Sequence, residues 1–302
     1  MLKIAFHPSY QHPLKENHRF PMEKYDLISK QLLLEGICEQ ENFFEPDIKD
    51  STEKYIRMAH TDAYINAMYA VELDRKAVRK IGFPLSEALV KRERLITNGT
   101  VQATKYALQI GVGMNIAGGT HHAFTGHGEG FCMINDQATA AYYLLEETDI
   151  EQILIVDLDV HQGNGTAEIF QNDPRVFTFS MHGKSNYPFK KEESDLDIPL
   201  ENDCDDATYL SILKETLPRL IEDVKPDFIF YLSGVDILKT DKLGKLGCTI
   251  YGCKARDEFV LNLIKTHQLP VEISMGGGYS KDIKDIINAH TNTYRLVQDI
   301  FF

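Results

Sequence analysis

The sequence predicts an α/β fold: a single domain with a mostly parallel central sheet flanked by helices. Three observations predict it. Short apolar runs alternate with longer helix-patterned stretches along all 302 residues. The runs are near-continuous in Val, Ile, Leu and Phe rather than alternating, as in strands buried on both faces. No internal repeat, low-complexity tract or linker interrupts the series.

Taken in order, "LKIAFH" reads as the first strand and is followed by a helix near 22–36. The stretch 50–110 is mainly helical, carried by "TEKYIRMAHTDAYINAMYAVELD" and "TNGTVQATKYALQIG". Then come "GMNIAGG" with a helix near 135–147, and "ILIVDLD" with one near 164–171. "VFTFSMH" leads to a helix near 205–223, "DFIFYLSGVD" to one near 254–267, and "VEISMGGGY" to one near 280–290.

Composition narrows the function classes. Hydrophobic residues make up 43% and charged residues 25%, as in a soluble chain with a sizeable core. The net charge of −13, from 32 basic and 45 acidic residues, argues against a nucleic-acid partner. It is compatible with a cationic or lysine-bearing substrate, although a solvated acidic surface accounts for it more simply. No apolar run approaches the roughly 18 residues of a membrane span. The N-terminus lacks a secretory pattern, so a cytoplasmic location is expected. Five Cys, an odd number, point to reduced thiols; Cys248 and Cys253 lack a second pair at zinc-site spacing.

In a parallel sheet the ligand site lies beyond the carboxyl ends of the strands. Four predicted strands place polar residues there. They are His121 and His122; Asp157, Asp159 and His161; Asp236; and Tyr279. Carboxylates and an imidazole ending a buried strand are costly unless something there requires them. Asp159 and His161, two apart, would point to one side of an extended segment. With Asp236 they form an Asp/His/Asp set suited to zinc, with iron, cobalt and manganese also admitted by its oxygen ligands. Alone, D-x-H reads more readily as a turn, an HH pair as a surface or capping feature, and Tyr279 as a packing aromatic. Together at one sheet edge they suit hydrolysis: a His as general base and acid, and a Tyr hydroxyl donating to an oxyanion. Asp157 and Asn164 are available to orient the imidazoles.

The motifs "GGTHHA", "GEGFCMIND", "VDLDVHQGNG", "SGVDIL" and "MGGGY" occur in the order of the zinc-dependent histone deacetylases. The chain resembles that family from "IAFHPSY" through "HTDAYI" to Tyr279, nearly its whole length. Gln162, "NYP" at 186–188 and "FPLSEALVKRERL" at 83–95 look most like the class IV branch and its bacterial relatives. The resemblance implies the arginase/deacetylase fold, and zinc on Asp159, His161 and Asp236. It implies His121 paired with Asp157 and His122 with Asn164, His122 being the main base and acid. Tyr279 would polarise the acyl carbonyl, and the Gly130 carbonyl would receive the substrate amide N–H. Phe131 and, as a weaker candidate, Tyr187 would wall the acyl-lysine tunnel. A potassium ion is implied behind the zinc, on Asp157, Asp159, His161, Ser180 and the backbone of Met181.

The implied activity is removal of an acetyl or longer acyl group from an acylated lysine peptide or protein, or from a small acylated amine. Oligomeric state is open. Asn164 stands where class I members have Asp, so His122 is expected to lack an anionic partner, as in classes II and IV. The acidic rim residue of class I has no match around Ile81 to Glu87. The segment Asn17 to Tyr25 falls near the family's pocket floor, where His18 or Lys24 could line a channel. Two alternatives stand beside this reading. An arginase-like binuclear ureohydrolase would want a further Asp two residues beyond Asp236, where the chain has Leu238. A non-catalytic acyl-lysine binder would be expected to lose one of the site residues.

Overall fold

The structure is a computed structural model and describes residues 1–16 and 18–302; Asn17, the first residue of the 17–25 loop, lies outside the described residues. The chain runs β1 (Ile4–Ala5), α1 (Lys24–Leu34), β2 (Phe43–Phe44), α2 (Asp50–Ala59), α3 (Asp62–Tyr69), α4 (Arg75–Ile81), α5 (Glu87–Ile110), β3 (Val112–Asn115) and α6 (Asp136–Glu147). It continues β4 (Ile153–Asp157), α7 (Asn164–Phe170), β5 (Val176–Gly183), β6 (Leu196–Leu200), α8 (Asp206–Val224), β7 (Phe228–Leu232), α9 (Ile250–Thr266), β8 (Val271–Ser274) and α10 (Ile283–Phe301).

The strands form one sheet in the order β2-β1-β3-β8-β7-β4-β5-β6. Every pairing is parallel, so the expected "mostly parallel" sheet is wholly parallel among the described residues. Both faces are covered. Leu154, Val156, Ile229 and Tyr231 pack into one apolar cluster, and Ile153, Ile155, Phe228 and Phe230 into another. Alternate residues of β4 and β7 thus enter separate cores, which is why those strands are apolar up to Asp157 at the end of β4.

Helix starts follow local chemistry. Side chains of Asp74, Ser86, Asn135, Asp205, Thr249 and Asp282 accept from the first-turn amides of α4, α5, α6, α8, α9 and α10. The Thr249 cap starts α9 at Ile250, four residues before the expected 254. α10 continues to Phe301 rather than ending near 290, since no Gly or Pro stops it. β2 and β6 were not expected. β2 is two residues long, and β6 carries Pro199, which an edge strand tolerates because that face of its backbone needs no donor. The four strands bearing the predicted site residues, β3, β8, β7 and β4, are consecutive in the sheet.

Candidate metal centre and its tunnel

The loop after β4 gathers the acids. Backbone amides fold back onto carboxylates: Asp159 N donates to Asp157 Oδ1 at 3.1 Å, His161 N to Asp159 Oδ1 at 3.0 Å, and Val160 N to Asp236 Oδ1 at 2.9 Å. Asp159 and His161 therefore converge through bends after the strand, not through strand alternation as expected. Gly277 N donates to Asp159 Oδ2 at 2.7 Å, tying in the loop after β8.

The donor atoms of Asp159, His161 and Asp236 all lie within 4.8 Å of one another, and all three residues are buried. His161 Nδ1 is 3.0 Å from Asp159 Oδ1 and 3.1 Å from Asp236 Oδ2. Of these two contacts the one to Asp159 is a hydrogen bond, and Asp236 Oδ2 has no hydrogen-bond partner among the described residues. A buried orphan carboxylate oxygen is costly. Burial and the adjacent Asp159 push the Asp236 carboxyl up to about 7. A Cβ at Gly277 would collide with Asp236 Oδ2, so the glycine keeps open the space this oxygen faces. Two carboxylates and an imidazole around one orphan oxygen fit a divalent metal.

Beside this set stand the two imidazoles. His121 Nδ1 bonds Asp157 Oδ2 at 2.7 Å, and His122 Nδ1 bonds Asn164 Oδ1 at 2.6 Å. Their rings lie 4.1 Å apart. Burial opposes charge on His121, but Asp157, then Asp159, outweigh it and raise its pKa. His122 is lowered well below the ordinary value by burial and by the imidazoles of His121 and His161. Tyr279 sits across the cluster, its ring 6.2 Å from that of His161. Burial, with Asp159 and Asp236, keeps its hydroxyl protonated and able to donate.

Two aromatic residues flank the cluster: Phe131 is 6.0 Å from the Tyr279 ring, and Tyr187 is 5.1 Å from the His122 ring. Gly130 has φ +55°, and a Cβ there would lie 2.6 Å from His122 Cδ2. Only glycine lets the wall approach the imidazole this closely. Ser180 neighbours Asp157 in the β4–β5 ladder, with its Oγ 3.0 Å from His182 Nδ1; Met181 is buried beside it.

Sequence reasoning missed four residues. Glu129 is buried and accepts from Asn164 Nδ2 at 2.7 Å and from Tyr187 OH at 2.6 Å; it also pairs with Lys80. The partner of His122 is a neutral amide, as expected, but that amide is itself held by an anion. The signal was a charged residue between two glycines of "GEGF". Asp241 accepts from Tyr279 N at 2.6 Å and from the amides of Leu243 and Gly244, fixing the tyrosine loop. Arg92 of α5 lines a small inner cavity of about 30 Å³ behind His121 and Tyr279, room for about two waters. Arg19 borders the outer mouth.

Of the residues flagged in the 17–25 loop, Lys24 is buried, donates to Gly276 O at 3.2 Å, and lies over the Tyr279 ring. Burial pushes it down to about 8. His18 bonds Gly82 O at 3.0 Å and stacks on Phe83. Neither lines the inner cavity, whose cation is Arg92. All five Cys are buried free thiols.

Comparison with known proteins bears on both family and fold. The histone deacetylase domain model matches residues 18–294. An uncharacterized protein of Picosynechococcus sp. is 43% identical over 298 residues, covering 99% of each chain. Histone deacetylase 2 of Arabidopsis thaliana is 26% identical over 283 residues, 91% of this chain and 73% of that one. The crystal structure of an HDAC homolog complexed with SAHA superposes with a TM-score of 0.85 at 25% identity, over 99% of this chain and 84% of that one. The fold is the arginase/deacetylase fold. No helix among the described residues is long and apolar enough to cross a membrane.

Proposed function

Because the chain belongs to the histone deacetylase family, we propose that it is a zinc-dependent amidohydrolase that removes an acyl group from an N-acyl-lysine or a related acylated amine. One observation carries this reading: a buried Asp159–His161–Asp236 set with an orphan carboxylate oxygen, beside two oriented imidazoles and a tyrosine. We read residues 1–302 as one catalytic domain, cytoplasmic in location and similar in its motifs to the class IV branch.

Zinc, or iron in its place, held by the three ligands would polarise an acyl carbonyl and acidify water. The remaining work falls to the chain's own residues. With Nδ1 facing Asn164 Oδ1, His122 carries its proton there and presents Nε2 as a base. It takes a proton from the attacking water and returns it to the departing amine nitrogen as the C–N bond breaks. The products are a carboxylic acid and a free amine. His121, held by Asp157, balances charge nearby. The Tyr279 hydroxyl donates to the carbonyl oxygen as negative charge develops. The Gly130 carbonyl receives the substrate amide N–H, and Phe131 and Tyr187 flank the acyl-lysine stem. A potassium ion on Asp157, Asp159, His161, Ser180 and Met181 would offset the buried negative charge behind the site.

The test is turnover by the zinc-loaded protein, followed by mass spectrometry, on one lysine peptide carrying acyl groups from acetyl to myristoyl, with metal content measured alongside. Cleavage with about one metal ion per chain is expected. Two metals per chain would instead favour the binuclear ureohydrolase reading. Binding of the acylated peptide with no cleavage of any member would favour a binding protein.

A further inference from the structure

The outer mouth of the tunnel is basic in a chain that is acidic overall. A cavity of about 270 Å³ runs from His122, His161 and Tyr279 past Phe131 and Tyr187, and Arg19, Lys80 and Lys245 also line it. Among the described residues no Asp or Glu lines it, although acidic residues outnumber basic ones 45 to 32 in the whole chain. The three cations differ in availability. Lys80 is already neutralised by its ion pair with Glu129. The Arg19 guanidinium lies 5.1 Å over the Phe131 ring, at the wall through which the acyl-lysine stem would pass. Lys245 is exposed, and its Nζ donates to a neutral partner, Ser185 O, at 3.2 Å. Stacking on an aromatic face holds a guanidinium in place while leaving its N–H fork free for a carboxylate.

We propose that this mouth is a carboxylate subsite, in which Arg19 and Lys245 hold an anionic group carried by the substrate beside its acylated lysine. The inference rests on the deacylase reading of the inner site and adds the substrate's charge. An acyl-lysine stem inserted between Phe131 and Tyr187 leaves the atoms around its Cα in the mouth. A carboxylate there comes either from the α-carboxyl of a free Nε-acyl-lysine or from a flanking Asp or Glu of a peptide. The same field repels an acylated polyamine, whose other nitrogens are cationic. The overall charge of −13 is compatible with a cationic substrate, but the residues at the opening set the opposite preference.

Three acetyl-lysine peptides with Asp, Ala or Lys flanks, together with Nε-acetyl-lysine and its carboxamide, test the subsite. Each is measured by kcat/KM with the zinc-loaded full chain, and by equilibrium binding to the Tyr279→Phe chain, at low and high salt. The Asp-flanked peptide should exceed the Lys-flanked one by about tenfold at low salt, two partly exposed ion pairs being worth that much. The ratio should shrink as salt screens it. The double variant Arg19→Glu/Lys245→Glu should reverse the order. Lys265→Glu, the same kind of charge change near the end of α9 and at the amino edge of the sheet, should not. Preference for Nε-acetyl-lysine over its carboxamide would assign the α-carboxyl as the source; preference confined to the peptides would assign the flanks.

Equal affinity for all three peptides, an order unchanged in the double variant, or no binding of any peptide overturns the proposal. Turnover of the Ala-flanked peptide reports separately on the deacylase reading. Charge-ordered binding without turnover of any peptide would therefore leave the subsite standing and remove that reading.

Discussion

Replacing Glu129 by Gln should cost turnover although Glu129 touches neither the metal ligands nor the substrate path directly. A carboxylate only accepts hydrogen bonds, so the Asn164 atom 2.7 Å from Glu129 Oε1 must be the amide nitrogen. The amide oxygen is then the atom that faces His122 Nδ1, and Nδ1 must carry the hydrogen. Glutamine offers both a donor and an acceptor, so the Asn164 amide loses its fixed sense. If it flips, His122 places its proton on Nε2 and ceases to be a base. A hydrogen bond to a charged group contributes about 1.5–3 kcal/mol, which is roughly a ten- to hundredfold preference between the two amide orientations. With that preference gone the two orientations fill comparably, the productive one drops from nearly all to about half of the molecules, and we expect kcat to fall about twofold with KM changed little. The ¹⁵N shifts of His122 supply a readout that a merely structural role would not move: the Nδ1–H tautomer should lose population to Nε2–H. A variant with wild-type kcat and an undisturbed tautomer would refute the reasoning.

Other outcomes follow from the same geometry. Gly130→Ala should remove most turnover, because its Cβ would press on the His122 ring and the residue would keep a left-handed backbone; unchanged kcat would count against the close approach described. Asp159→Asn should lose metal and activity together, whereas Tyr279→Phe should keep metal, as measured by atomic absorption, and lose most turnover; full activity in both would sink the site assignment. Stability should depend on Glu129 in acid. Burial works to raise its carboxyl, but hydrogen bonds from His127, Lys80, Tyr187 and Asn164 outweigh it and hold it well below its ordinary 4.5. The folded value is the lower one, so its stabilisation is full above about pH 4.5 and is lost as pH falls toward the folded value. Urea unfolding should show the wild type's advantage over Glu129→Gln shrinking below that pH, and an advantage that grew would contradict the sign.

The parts of the fold that could be read from the sequence share one property: burial on both faces. β3, β4, β5, β7 and β8 are buried through nearly all their length, and in β4 and β7 two cores claim alternate residues. β2 and β6 escaped notice because edge strands carry no such demand, and Pro199 even argues against a strand. At the site, residues standing directly after a strand were legible, since position alone brings them to the carboxyl edge. Asp241 and Arg92 were not. One acts through backbone amides of a loop, the other reaches the inner cavity from the second turn of a long helix, and neither relation leaves a pattern in a single chain. Glu129 was quoted within a motif, yet its role depends on a contact with Asn164 across 35 residues.

The order of the strands also bears on how the centre comes into being. Asp159 and His161 leave the ribosome together, but Asp236 arrives only after β5, β6 and α8, and Val160 meets it across 76 residues. A nascent or partly folded chain therefore offers a metal two donors, not three. Parallel pairing of β7 against β4 completes the set, and long-range pairings of this kind form slowly. Capture of the ion should thus report on late docking of the central strands: metal uptake during refolding would lag behind helix formation and coincide with the last rise in protection of β4 and β7.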